Sequence, residues 1–285
     1  MLTQTTIDRV VAAALDEDAP WGDITSETLL PVAASARADL VAREEGVFSG
    51  ADVFAAAFRL TDPRIEVRLE IADGERFTPG DVLATVTGPA RSVLTAERIG
   101  LNFTQRMSGI ATLTARYVAE VAHTAARIVD TRKTTPGLRA FERRAVRDGG
   151  GHNHRASLSD AVLAKDNHLA VLTRGGTSVT DALRAAIATL PHTTHVEVEV
   201  DRLDQIEPVL RAGIGTIMLD NFSLADLRTG VAQVAGRAVV EASGGVSLAT
   251  VRAIAETGVD VISVGALTHS APALDLGLDV VIDAA

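Results

Sequence analysis

The 285-residue sequence contains no cysteine. That removes disulfides, thiolate nucleophiles and cysteine-based zinc sites together, and it suits a reducing compartment. Stability must come from packing. No run approaches the roughly 18 uninterrupted apolar residues that a membrane span needs. The N-terminus, Met1 to Asp23, lacks a basic region leading into an apolar stretch. The chain is therefore expected to be soluble and cytoplasmic, with no membrane partner. Basic residues are outnumbered, 27 against 37 acidic ones, for a net charge of −10. A nucleic-acid-binding domain normally shows a basic footprint, so nucleic acid is not an expected partner. There is no GlyXxxGlyXxxXxxGly, no P-loop, no histidine pair at metalloprotease spacing and no low-complexity segment.

What is present is a chain with 47% hydrophobic residues, long enough for an α/β barrel plus a small companion domain. From residue 126 onward, six short apolar, β-branched runs recur at 127–131, 161–165, 195–200, 216–220, 238–242 and 259–264. Helix patterns lie between them at 136–147, 180–190, 203–212 and 247–257, each stopped by glycine or proline. Alternating strands and helices imply a parallel sheet with helices outside, closed as a barrel or left open. The first 105 residues read differently, as an α+β layer with an N-terminal helix at 5–15 and strands around 38–42 and 65–71. A long helix over 95–123, broken near Ser108 and Gly109, leads into the second part. The expected division is an N-terminal domain over 1–107, a barrel over 108–270 and a C-terminal segment, 271–285, packing back on the first domain.

In parallel α/β folds the chemistry gathers where strands end. Arg132, Lys133, Lys165, Glu199, Asp220, Glu241, Ser243 and Gly265 would then line one mouth. Two late strand-to-glycine transitions, GluAlaSerGlyGlyValSer (241–247) and SerValGlyAlaLeuThr (263–268), have the composition of phosphate cradles. Glycine lets a phosphate approach backbone N–H groups, and the positive end of a following helix would add to the attraction. Between Arg127 and Lys165 nine basic residues face four acidic ones, a local charge of +5 inside an acidic chain. Within this segment Arg132, Lys133, His154, Arg155 and Lys165 suit a ligand with several negative charges. Ion pairs with Asp130, Asp160 and Asp166 would account for one or two of them. Glu199 and Asp220 at neighbouring strand ends suit Mg²⁺, ribose hydroxyls or a developing positive charge. Glu197 shares the face of Glu199 in a regular strand, so the pattern does not choose between them. His123, His192 and His195 read as surface residues.

The motifs AspThrArgLysThrThrProGlyLeuArg (130–139), GlyGlyGlyHisAsnHisArg (149–155) and LysAspAsnHis (165–168) resemble the quinolinate phosphoribosyltransferase family. So do GlyAspIleThrSer (22–26), LeuThrAlaGluArg (94–98), MetSerGlyIleAlaThr (107–112), GluValGluValAsp (197–201), LeuAspAsn (219–221), SerGlyGly (243–245) and ValGlyAlaLeuThrHisSer (264–270). The resemblance runs nearly end to end. It implies an N-terminal α+β open sandwich, an incomplete α/β barrel of about six strands, and a homodimer in which Arg98 enters the neighbouring subunit's site. It also implies that Thr131, Arg132, Lys133, His154, Arg155 and Lys165 hold the carboxylates of quinolinate and part of phosphoribosyl pyrophosphate. Ser243, Gly244, Gly245, Gly265 and Ala266 would hold the 5-phosphate. Lys133, Glu199 and Asp220 are the implied catalytic residues. Mg²⁺ would be held mainly through its substrate, with Glu199 and Asp220 as further ligands.

Four positions depart from the family pattern: Arg143 and Arg144 where Lys then Tyr are usual, Ser157 for Gly, and Ala164 for a larger aliphatic. An Arg for Lys exchange alters reach, but activity is expected to survive it. Three other readings stay open on the residues alone, of which a non-catalytic ligand sensor has no need for Glu199 and Asp220 beside the anion site; the remaining two are enzymes. One is a related phosphoribosyltransferase-like protein with a different acceptor. The other is a phosphosugar aldolase or isomerase barrel using Lys165 as a Schiff-base nucleophile.

Overall fold

Along Ser35–Ala42 every second residue is buried. This is the pattern of a strand with one face on a core and one in water. In the computed structural model, which describes residues 2–283, this strand lies inside a four-stranded antiparallel sheet. In chain order the elements of this part are α1 (Gln4–Asp18), α2 (Ile24–Leu29), β1 (Ser35–Ala42), β2 (Gly46–Val47), α3 (Ala51–Thr61), β3 (Glu66–Leu69), β4 (Arg76–Phe77), β5 (Val82–Pro89) and α4 (Ala90–Val121). The sheet order is the C-terminal strand Leu276–Asp283, then β1, β5 and β3. Phe48, Phe54 and Phe58 pack with Leu40 and Leu83 beneath it, all fully buried. The GlyAspIleThrSer motif has a local reason: Asp23 caps α2 by accepting the amides of Thr25 and Ser26.

Two compact units emerge. Of the described residues, the first comprises 2–115, Thr135–Gly150 and 270–283; the second comprises Arg116–Thr134 and Gly151–His269. The stretch 135–150 joins the first unit although it lies inside the linear range expected for the barrel. Its helix α5 (Arg139–Asp148) is tied there by polar contacts. Ser49 Oγ donates to Asp148 at 2.7 Å, and Arg144 bridges Asp148 and Asp73 at 2.7 and 3.0 Å.

The expected break at Ser108 and Gly109 does not occur, and α4 runs unbroken for 32 residues. Gly109 is there for close approach instead. A Cβ on it would lie 1.9 Å from the carbonyl oxygen of Pro272. Ser108 is buried, and its hydroxyl accepts the Ser49 amide at 3.1 Å.

The second unit carries the six expected strands: β6 (Arg127–Val129), β7 (Val162–Ala164), β8 (Val196–Val200), β9 (Thr216–Asp220), β10 (Val239–Ser243) and β11 (Val261–Ser263). All pairs are parallel, in the order β6-β11-β10-β9-β8-β7. Among the described residues β6 and β7 do not pair with each other, so the barrel is incomplete on that side. A single bridge from Val129 to His152 extends the β6 edge. Helices α6 (Asp166–Leu172), α7 (Val179–Ile187), α8 (Ile206–Arg211), α9 (Leu224–Val234), α10 (Val251–Ala255) and α11 (Ala266–His269) alternate with the strands. Val198, Ile217, Leu219, Val240, Ala242 and Ile262 are buried. The residues between them, Glu197, Glu199, Met218, Asp220, Glu241 and Ser243, share the opposite face because strand side chains alternate.

The helix expected over 247–257 shrinks to five residues. Ser247 and Thr250 form a turn first, with the Ser247 amide donating to Thr250 Oγ at 2.9 Å.

Candidate active site

A cavity of about 630 Å³ opens at the C-terminal ends of these strands. Lys165 reaches it from the end of β7, Glu199 from β8, Asp220 from β9, and Ser243, Gly244 and Gly245 from the end of β10. Thr131, Arg132 and Lys133 follow β6, while His154 and Arg155 come from the segment that follows the His152 bridge. Strand order thus gathers residues that are far apart in sequence.

One wall is cationic. Arg132 and Arg155 lie close enough that, after burial, the charge of Arg132 is the main influence pushing the Arg155 pKa down. Two like charges held together are relieved by an anion between them. The Nε of Arg132 is buried and has no hydrogen-bond partner among the described residues, a donor suited to a carboxylate oxygen. Arg155 Nη1 donates to the Ala161 carbonyl at 2.8 Å, which fixes its fork. Lys133 is exposed. Its carbonyl accepts the Thr268 hydroxyl at 2.8 Å and its amide donates to Thr131 Oγ at 3.1 Å.

The other wall is anionic. Glu199 forms an ion pair with Lys165. Asp220 accepts from the Asn221 side chain at 2.7 Å. Asn221 has φ of 57°, a left-handed conformation that asparagine tolerates, and its amide donates to the Ser243 carbonyl at 2.8 Å. Gly244 must be glycine twice over. Its φ is 94°, and a Cβ would lie 2.1 Å from Asn221 Oδ1. The carboxylate oxygens of Asp220 and Glu199 are hard donors that suit Mg²⁺.

The floor holds a trio of one half-buried histidine and two buried carboxylates. His154 Nε2 lies 3.1 Å from Glu197 and 3.5 Å from Glu241, and both carboxylates are 3% exposed. Among the described residues the second oxygen of each carboxylate lacks a hydrogen-bond partner. Burial of the ring opposes its charge, but hydrogen bonds to Glu197 and Glu241 overcome this and raise the His154 pKa to about 10. Burial, with the Glu197 charge behind it, raises the Glu241 pKa. His154 Nδ1 accepts the Arg155 amide at 2.8 Å, which places the ring proton on Nε2. The two carboxylates favour a second proton on Nδ1, which would displace that amide. Nε2 faces the carboxylates in either state. One ligand atom from each of the three residues lies within 4.8 Å of the others, so the trio is also the candidate transition-metal site of this unit.

Of the candidates read from sequence, twelve positions line this cavity: Thr131, Arg132, Lys133, His154, Arg155, Lys165, Glu199, Asp220, Glu241, Ser243, Gly244 and Gly245. Gly265 lies behind Lys133 instead, with the lysine side chain 3.1 Å from where a Cβ would be. Ala266 starts the four-residue α11. The helix α10 starts well past Gly245 and is too short to offer a phosphate much of a dipole, so the cradle there rests on the glycine amides. Glu197 and Glu199 divide the roles the pattern left open, one in the floor and one at the mouth. Asp130, expected as an ion-pair partner for the cations, is fully buried outside the cavity lining and accepts the Asn153 side chain and the His154 amide. Arg98 is exposed on α4, in the first unit. Leu163, Met218, Asn221 and Ser263 also line the cavity, and the alternation along β7, β9 and β11 could have found three of them. Ser157 and Ala164, two of the departures from the family pattern, do not line it.

Residues 110–279 match the description of the quinolinate phosphoribosyl transferase C-terminal domain, and residues 23–108 that of its N-terminal domain. The chain is 45% identical over 277 residues to the nicotinate-nucleotide pyrophosphorylase (carboxylating) of Mycobacterium leprae, covering 94% of this chain and 95% of that protein. It is 40% identical over 266 residues to the probable enzyme of that name from Bacillus subtilis, covering 93% and 90%. The crystal structure of NadC from Streptococcus pyogenes superposes with a TM-score of 0.94 at 40% identity, covering 99% of each chain.

Proposed function

The chain belongs to the quinolinate phosphoribosyltransferase family, and from that premise we propose that it joins quinolinate to the ribose of phosphoribosyl pyrophosphate. The products are nicotinate mononucleotide, pyrophosphate and CO₂, in NAD biosynthesis. The observation that carries this reading is one cavity with Arg132, Lys133, Arg155 and Lys165 facing Glu199 and Asp220.

A dicarboxylate seated between Arg132 and Arg155 would satisfy the unpaired Arg132 Nε and relieve the repulsion between the two guanidinium groups. Lys165 would take part in the same grip, giving up Glu199 as it does so. Glu199, released, and Asp220 would face the ribose carbon as it gains oxocarbenium character and pyrophosphate departs. The pyridine nitrogen then attacks that carbon. The alkylated ring is cationic, so its positive nitrogen stabilises the electron pair left on the ring carbon as CO₂ leaves, and that carbon then takes up a proton from solvent, with no dedicated base needed. Lys133, exposed at the mouth, would meet the departing pyrophosphate, and the amides of Gly244 and Gly245, with Ser243, the 5-phosphate. Mg²⁺, when bound with pyrophosphate, would be held by that substrate and by Asp220 and Glu199, and would neutralise the leaving group.

The reading includes a homodimer in which Arg98 completes the partner's cation wall, and a cytoplasmic location that suits a cysteine-free chain. No helix among the described residues is long and apolar enough to cross a membrane. An aldolase role for Lys165 is disfavoured: the lysine is ion-paired to Glu199 and 44% exposed, not desolvated in an apolar pocket. Quinolinate labelled with ¹³C at the 2-carboxylate tests the proposal. Labelled CO₂ released only when phosphoribosyl pyrophosphate is present supports it, and retention of the label in the product contradicts it.

A further inference from the structure

Strands β6 and β11 are neighbours in the parallel sheet, paired from Arg127 with Val261 to Val129 with Ser263. One further backbone bond, from the Val264 amide to the Val129 carbonyl at 3.0 Å, closes the ladder. Beyond it both chains leave as loops. One carries Thr131, Arg132 and Lys133 to the cavity, and the other runs through Gly265 into α11. A loop without ladder bonds must find partners for its backbone elsewhere. Lys133 finds both on threonines: its amide donates to Thr131 Oγ at 3.1 Å, and its carbonyl accepts the Thr268 hydroxyl at 2.8 Å. We infer that Thr268 is a positioning residue for Lys133, carrying the β6 to β11 pairing past the end of the sheet so that the ammonium meets the pyrophosphate of phosphoribosyl pyrophosphate. The inference rests on the function proposed above.

Thr268 is fully buried, so its hydroxyl must be satisfied within the protein. A helical threonine often returns its hydroxyl to a carbonyl three or four residues back, and the Gly265 carbonyl is available at 3.3 Å. The Lys133 carbonyl, at 2.8 Å, is the nearer acceptor and takes the single proton. Gly265 serves the same end from the side-chain direction. A Cβ on it would lie 3.1 Å from Lys133 Cδ and 3.1 Å from His269 Nε2, so the missing side chain leaves the lysine stem its path. Lysine is a compact charge on a flexible four-carbon stem, and something must aim it. Glu199 holds the Lys165 ammonium by an ion pair. Lys133, exposed at the mouth, is instead bonded through its main chain, so the place of its ammonium follows from where Thr268 fixes that carbonyl. A buried group that orients a ligand-binding side chain from behind follows the logic of supporting shells in functional sites.

The test is steady-state kinetics of wild type, Thr268→Val, Thr268→Ser, Lys133→Ala and the Thr268→Val/Lys133→Ala pair, with calorimetric binding of phosphoribosyl pyrophosphate and Mg²⁺ in the absence of an acceptor. No turnover of quinolinate by folded wild type sinks the proposed function and this inference with it. With turnover established, Thr268→Val should weaken phosphoribosyl pyrophosphate, in both KM and calorimetric Kd, by about three- to tenfold, the scale of one lost hydrogen bond. The KM for quinolinate should move less than about twofold on the same reasoning. Thr268→Ser keeps the hydroxyl and should return to within about twofold of wild type. The double variant should bind phosphoribosyl pyrophosphate no more weakly than Lys133→Ala alone, because Thr268 acts through the lysine. An unchanged phosphoribosyl pyrophosphate KM in Thr268→Val overturns the inference and leaves the proposed function standing. So do additive losses, equal losses in both KM values, or a Thr268→Ser variant as weak as Thr268→Val. Should Thr268→Val fail to fold, Thr268→Ala takes its place in the same cycle and the same outcomes decide.

Discussion

Glu197 and Glu199 leave the same face of one strand and end on different partners, His154 and Lys165 respectively. Two residues of rise separate a buried carboxylate from one at the mouth of the cavity. Their substitution should therefore separate kinetically. Glu199→Gln is expected to lower kcat by about 10²- to 10³-fold, the scale seen when one group stabilising developing charge is removed. A loss confined to the quinolinate KM would place Glu199 with the acceptor instead.

Arg155→Lys should raise the quinolinate KM by at least roughly tenfold, because a point charge cannot reproduce a fork and one charged hydrogen bond is lost. The melting temperature should change little, since the Arg155 guanidinium sits in the cavity wall. Steady-state kinetics with each substrate varied in turn checks this.

Gly244→Ala asks a non-glycine residue to adopt φ of 94° and to displace Asn221. The expected cost is about 1–3 kcal/mol of stability, the range for strained or overpacked positions. The KM for phosphoribosyl pyrophosphate should rise more than that for quinolinate. Denaturant unfolding and kinetics on the same preparation read both effects.

The His154 pKa is raised on folding from 6.5 to about 10: burial works against the charged ring, and Glu197 and Glu241 outweigh it. A raised pKa stabilises the fold fully below about pH 6.5, where the unfolded ring is protonated too. That contribution fades as pH rises through about 10. Melting temperatures taken from pH 6.5 to 10.5 should fall more steeply in wild type than in Glu241→Gln. Parallel curves would show that Glu241 does not hold the proton.

Arg98→Ala and Lys165→Ala chains should each be nearly inactive. Mixing them should restore up to about a quarter of wild-type activity in sites that combine intact residues from both subunits, the fraction expected for random exchange in a closed two-fold dimer. No recovery, with subunit exchange demonstrated, would keep Arg98 out of the partner's site.

Much of this was legible in the sequence. The six strands of the second unit follow from β-branched runs bounded by turn residues, and observed and expected limits differ by no more than a few residues. Strand ends then placed Arg132, Lys165, Glu199 and Asp220 at one mouth. What stayed hidden depends on partners distant in the chain. Gly109 reads as a helix breaker until Pro272 is seen against it. The stretch 135–150 reads as barrel until Asp148 and Arg144 are found bonded to Ser49 and Asp73. A period of two puts Glu197 and Glu199 on one face but carries no depth, so it cannot say which is floor and which is mouth.

The most direct test of the account is mass spectrometry of products after incubation of the purified protein with Mg²⁺, phosphoribosyl pyrophosphate and either quinolinate or nicotinate. The account predicts nicotinate mononucleotide and CO₂ from quinolinate and no nucleotide from nicotinate. Folded protein that yields no product from quinolinate, or that accepts nicotinate as readily, would contradict it.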